Sequence, residues 1–170
     1  MAVGKQSEAM STSRTTMERT SDLELVIRRA FRAPAPIVFD AYTKPEYVRR
    51  WWAPASRGVR MVQCDVEFTL GGAYRYVIAR GDDERYCFFG KYVEITRPTR
   101  LVYTQTFEPF PDAETLVTVS FEEHDGVTRF VAHERYASKE ALDMALGTGM
   151  EDGMRETFEQ LDDLVVELRG

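Results

Sequence analysis

Several absences narrow the possibilities before any pattern is read. The chain of 170 residues has only two cysteines, Cys64 and Cys87, in strand-like stretches without metal-ligand spacing. That excludes a disulfide scaffold and reads as two reduced core thiols. It has only two histidines, His124 in a turn and His133 on an outward strand position, so no metal site is expected. Positive charge is in the minority: 22 Lys and Arg against 28 Asp and Glu give a net charge of −6 and no basic field for nucleic acid. Arg49-Arg50-Trp51-Trp52 is then a helix end with cations at its negative dipole terminus. No apolar run reaches the ~18 residues of a membrane span, and the N-terminus lacks an apolar signal core. Phosphate loops, nucleophile elbows and triad patterns are missing too. The expectation is a cytoplasmic protein without membrane, nucleic acid, metal or cofactor.

What the chain does have is 20 aromatic residues (8 Tyr, 10 Phe, 2 Trp) and an amphipathic C-terminal end. Leu146, Met150, Met154, Phe158, Leu161, Val165 and Leu168 recur at steps of three and four. Thr148 and Glu151 read as a capping box, so a helix is expected from near Gly149 to about Leu168. It would follow a short helix over 138–146 that breaks at Gly147. Glu151, Asp152, Glu156 and Asp163 make the opposite face acidic.

Residues 1–20 are rich in Ser, Thr and Met without an apolar period, and are expected to be a flexible extension to a single domain over 21–170. The fold should begin with a strand in which Leu23, Leu25, Ile27 and Phe31 alternate with polar neighbours, Arg29 interrupting the apolar face. Pro34 and Pro36 suit a first helical turn. Thr43-Lys44-Pro45-Glu46 reads as a second capping box for a stub helix stopped by Pro54.

Strands follow almost without helical signal. Val62, Cys64, Val66 and Phe68 would face one way, with Met61 on the other side. Gly71-Gly72 and Gly81-Asp82-Asp83 mark turns, and Asp125-Gly126 is a strong hairpin signal. This spacing implies an antiparallel meander. The fold class is therefore α+β: a curved antiparallel sheet wrapped around a long C-terminal helix, a helix-grip, with a pocket between them.

Four stretches carry a resemblance: LELVIRRAFRAPAPIVFDAYTKPEYVRRWWAP, CDVEFTLGGAYRY, GKYVEITRPTRLVYT and GMEDGMRETFEQLDDLV. In this order they resemble the START-like SRPBCC superfamily (the fold of the birch-pollen allergen), and within it the branch named for activators of the heat-shock protein 90 ATPase. The resemblance spans roughly residues 23–168. It implies the helix-grip fold and a cavity, shared by polyketide cyclases, lipid-transfer domains and ligand carriers, rather than one reaction.

The candidate ligand-binding residues are Trp52, Tyr74, Tyr76, Phe88, Tyr103, Gln105, Glu134, Tyr136, Met150, Met154 and Phe158. Each aromatic reads either as pocket wall or as core. Glu134 is the one candidate for catalysis: as a carboxyl entering an apolar cavity it would serve as general acid or base. It reads equally as a solvated strand end, or as a partner of Arg29. Three functions remain open: a domain binding a small hydrophobic or aromatic ligand, a cyclase- or hydrolase-like enzyme, and a chaperone-cofactor-like interaction module. An unpaired sheet edge also admits a homodimer.

Overall fold

The computed structural model describes residues 14–170; most of the expected N-terminal extension, residues 1–13, lies outside the described residues. Eight antiparallel strands form one curved, unclosed sheet: β1 (Thr16–Arg19), β2 (Glu24–Phe31), β3 (Val59–Val66), β4 (Ala73–Arg80), β5 (Glu84–Thr96), β6 (Arg100–Phe107), β7 (Thr115–His124) and β8 (Val127–Arg135). Their order across the sheet is β1-β2-β8-β7-β6-β5-β4-β3. The first long strand thus pairs with the last. Helices α1 (Ala35–Thr43) and α2 (Pro45–Trp51) carry the chain from β2 to the far edge, and the meander returns it strand by strand. Helices α3 (Lys139–Gly147) and α4 (Met150–Arg169) close the fold.

The local signals act largely as the residues require. Pro34 caps α1 with Pro36 in its first turn, where a missing N–H costs nothing. Asp125 and Gly126 both take positive φ (53° and 79°), the twist a two-residue hairpin between β7 and β8 needs. Along α4, Phe158, Leu161, Leu164 and Val165 are buried, reproducing the stripe read from the sequence. Phe31, Phe130 and Phe158 meet edge to face, with centroids 5.3–5.8 Å apart, and lock the middle of α4 onto β2 and β8.

Four expectations are corrected. Thr16–Arg19 belong to the sheet as β1, paired with Leu25–Arg28, rather than to a flexible extension. Four residues with one apolar side chain, Met17, are too few to show alternation. Neither proposed capping box forms. The Thr43 hydroxyl donates back to the Phe39 carbonyl instead, and Thr148 Oγ1 donates to Ala145 O. The break before α4 is made by Gly149, whose φ of 78° suits a residue without Cβ, so Gly147 is not its cause. The helix that is capped by a side chain is α3: Ser138 Oγ accepts the Ala141 N–H at 3.0 Å.

The phase of β3 also differs. A bulge between Met61 and Gln63 turns Val62 outward (39% exposed), and Met61 packs on the core. One extra residue flips every side chain before it to the other face.

Candidate functional site

The inward positions of successive strands converge under the first half of α4. They are Ile27 on β2, Tyr74, Tyr76 and Ile78 on β4, Phe88 on β5, Tyr103 and Gln105 on β6, and Ala132 and Glu134 on β8. Their side chains, with Trp51 and Trp52 from the end of α2 and Met150, Met154, Thr157 and Phe158 from α4, do not fill the space between the layers. Ile27, Ile78, Phe88, Tyr103, Gln105, Ala132 and Glu134 line a cavity of about 250 Å³ with Tyr42, Pro54, both tryptophans and α4. A smaller pocket of about 20 Å³, room for about one water, adjoins it among Tyr42, Tyr74, Tyr76, Tyr92, Tyr103 and Gln105.

Three local devices shape these walls. Gly90 is one: a Cβ there would lie 1.8 Å from the Thr104 carbonyl oxygen and 2.8 Å from the Tyr74 ring. The bare backbone lets Tyr74 lie flat across β5 and donate its hydroxyl to that same carbonyl at 2.6 Å. Gln160 is the second. Its amide nitrogen donates to the carbonyls of Trp51 and Ala53, both at 2.9 Å, and its oxygen accepts the Ala55 N–H. This ties the segment after α2 to α4 and helps hold Trp52 edge-on to Tyr76 and Phe88, at 5.1 and 5.0 Å. The third is the hydrogen bond from Trp51 Nε1 to Ala41 O (2.8 Å), which lets the ring stack on Tyr42 without leaving its N–H unpaired.

The polar groups are few. The hydroxyls of Tyr42 and Tyr103 share one hydrogen bond at 2.6 Å, and burial raises the pKa of both. In the smaller pocket, burial pushes Tyr92 up to about 12. All these phenols stay protonated near neutrality. Gln105 makes no side-chain hydrogen bond among the described residues and is half-buried at the wall of both spaces.

Glu134 is buried, and it accepts the Tyr136 hydroxyl at 2.8 Å. Desolvation raises its pKa, with the Tyr136 hydrogen bond opposing. The carboxylate in turn pushes Tyr136 up, adding to burial. Both alternatives to an inward Glu134 are thereby corrected: it is neither solvated nor paired with Arg29. Arg29 faces inward further along, where its Nη2 lies 3.6 Å from Asp162 on α4.

Eight of the eleven expected residues therefore line the larger cavity: Trp52, Phe88, Tyr103, Gln105, Glu134, Met150, Met154 and Phe158. Tyr74 and Tyr76 line the smaller pocket instead. Tyr136 lines neither and sits behind Glu134 as its hydrogen-bond donor. Tyr42 and Thr157 were not expected at the wall. The signal for Thr157 was present, since it adjoins Phe158 on the helix stripe; Tyr42 was legible only as a core position of α1.

Among the described residues no group of three or more His, Cys, Asp or Glu could hold a metal ion, and no helix is long and apolar enough to cross a membrane. Cys64 and Cys87 are free and buried, and burial raises Cys64 to about 11.

Comparison with known proteins agrees with this architecture. A Rhodobacter sphaeroides protein of known crystal structure superposes with a TM-score of 0.83 at 26% identity, over 90% of this chain and 99% of its own. An Arthrobacter aurescens protein, solved by NMR, gives 0.78 at 26% identity over 89% and 91%. A Mycobacterium smegmatis protein gives 0.74 at 28% identity over 88% and 96%. A search of curated proteins finds no match. Residues 32–166, from the end of β2 nearly to the end of α4, match the family model described as activator of Hsp90 ATPase homolog 1-like protein. With the helix-grip fold in place around them, the chain belongs to that SRPBCC-type family.

Proposed function

We propose that this protein is a binding domain that takes a small, partly apolar molecule between the sheet and the first half of α4. One observation carries the reading: a cavity of about 250 Å³ walled by aromatic and aliphatic side chains, with a few polar groups at fixed places. That is the usual constitution of a small-molecule site. A packed interior leaves few voids larger than a water, so a space this size supports a binding role. Apolar area on the guest supplies the driving force at roughly 25 cal/mol per Å² removed from water. Gln105, Glu134 and the Tyr42–Tyr103 pair orient it.

A native mass spectrum of protein purified from its own host tests this. The expected result is a reproducible extra mass per chain that is lost in Met150→Trp, whose indole would occupy the cavity. A clean apo mass from wild-type protein overturns the reading.

Glu134 supports a second reading, acid–base catalysis on a cyclase- or hydrolase-type substrate, because a buried carboxyl with a raised pKa suits proton transfer. It requires that Glu134→Gln abolish turnover of a bound compound while leaving its binding intact. The chaperone activation in the family's description has no comparable observation behind it here.

A further inference from the structure

The cavity holds one carboxyl group and no basic side chain. Glu134 is its sole acidic lining residue, and none of the lining side chains is Lys, Arg or His. Oε1 of Glu134 accepts the Tyr136 hydroxyl. Oε2 has no donor among the described residues and is not fully enclosed, and Glu134 lines the cavity. A buried carboxylate with an open acceptor and no cation is costly to keep ionised. Where ionised it also repels an anionic guest, because no lining side chain offsets the like charge in a medium of low dielectric.

The walls favour the opposite sign. Trp52, Phe88, Phe158 and the stacked Tyr42–Trp51 pair present rings to the same space, and aromatic faces attract cations. The Gln105 amide offers a second polar anchor. As for size, a dry cavity of about 150 Å³ holds benzene. The space here is about 250 Å³, enough for one or two fused rings on a short chain.

We propose that the cavity takes a compact, largely apolar molecule bearing one protonated amine, its ammonium hydrogen-bonded to Oε2 of Glu134 and its apolar body held against the aromatic walls. This rests on the ligand-binding reading above and adds the charge of the ligand. It separates the protein's guests from fatty acids, phosphates and other anions.

The pH dependence follows from the groups around Glu134. Tyr136 donates to it, and Tyr42 from α1, Tyr74 from β4 and Tyr103 from β6 feel its charge. His133 stands next to it in sequence but is paired with Glu24 and 43% exposed. The register partners of Glu134, Leu25 and Val117, are apolar, and α4 contributes Met150, Met154, Thr157 and Phe158 to the cavity wall. Among the described residues no cation is paired with Glu134, and the Arg57 guanidinium lies beside Gly153 on the cavity wall. An ammonium guest pairs with the ionised carboxylate, so affinity for the amine rises as pH rises through the glutamate's raised pKa.

Calorimetric titration of the full chain with three matched probes tests the proposal: tryptamine, its alcohol tryptophol, and indole-3-propionate. Tryptamine is expected to bind about tenfold or more tightly than tryptophol, as a charge-assisted hydrogen bond allows. Indole-3-propionate is expected to be the weakest. Glu134→Gln should bring tryptamine down to the level of tryptophol. An acid that binds as well as the amine overturns the proposal, as does an amine preference that survives Glu134→Gln. Tryptamine affinity that falls from about pH 5 to about pH 8 overturns it too. The wild-type ranking needs no variant, so the test stands even if Glu134→Gln folds poorly. Tryptophol binding without amine preference removes this inference and leaves the cavity reading intact. Binding of none of the three removes both.

Discussion

Two buried carboxyl groups lie between the sheet and the closing helices, and they are treated in opposite ways. Asp162, on the second half of α4, accepts the Arg32 backbone N–H at 3.0 Å and its guanidinium at 2.7 and 2.8 Å. Arg29 approaches from the inner face of β2 at 3.6 Å. Around this cluster Leu161, Leu164 and Val165 are packed dry. Glu134 faces the first half of α4, has a single tyrosine donor and no ion pair among the described residues, and lines the cavity. The same helix thus has a sealed half and an open half, divided at Phe158. A buried charge that is fully partnered holds a fold together. One that is left short of partners marks where a ligand can complete the set.

The contrast can be broken first at its sealed end. Asp162→Ala would leave Arg29, already without a partner at Nε among the described residues, with only a long hydrogen bond to Thr15 Oγ1 at 3.4 Å and the Phe31 ring beside it. The expected loss is about 3–5 kcal/mol by chemical denaturation. A loss under about 1 kcal/mol would make the cluster no more than a surface pair. Paired truncations sharpen the boundary. Leu161→Ala, at a fully buried site, is expected to cost about 2–5 kcal/mol. Met154→Ala enlarges a space that already exists, so about 1 kcal/mol is expected. Equal costs would show both halves equally packed. Met150→Trp should move stability by less than about 1 kcal/mol while abolishing ligand binding. Unchanged affinity in the folded variant would remove α4 from the pocket wall.

Glu134→Gln has the smallest expected effect, and its sign depends on pH. Burial raises the folded-state pKa of Glu134 above its ordinary 4.5. The native state then binds more protons than the unfolded chain, and wild-type stability falls as pH rises through the raised value. Glutamine does not titrate. The variant should therefore gain on the wild type in melting temperature as pH rises from about 4 through the raised value. A difference that shrinks with rising pH would place Glu134 in an environment that favours its charge.

Much of this was legible in one dimension. The period of α4 identifies its buried stripe from Met150 to Leu168, because a 3.6-residue repeat and a single packed face are the same fact. Alternation and turn chemistry located β4 to β8, and Asp125-Gly126 marked their last hairpin. The aromatic inward positions on those strands followed, Phe88 and Tyr103 at the larger cavity and Tyr74 and Tyr76 at the smaller pocket. β1 was not legible, since an edge strand of four mostly polar residues has no periodic signature. Nor was the phase of early β3, which a bulge reverses.

Asp162 shows where such reasoning stops. Its place beside the apolar stripe is readable, four residues after Phe158 and three before Val165, but its main partner, Arg32 just after β2, is 130 positions away. The same holds for the open carboxylate. That Glu134 points inward follows from alternation with Ala132 and Phe130. That no cation meets it there, that Tyr136 does, and that a cavity remains beside it are decided by how far a curved sheet stands from a straight helix. Which face a residue takes is a matter of local period. What it finds on that face depends on chain segments brought together only by folding.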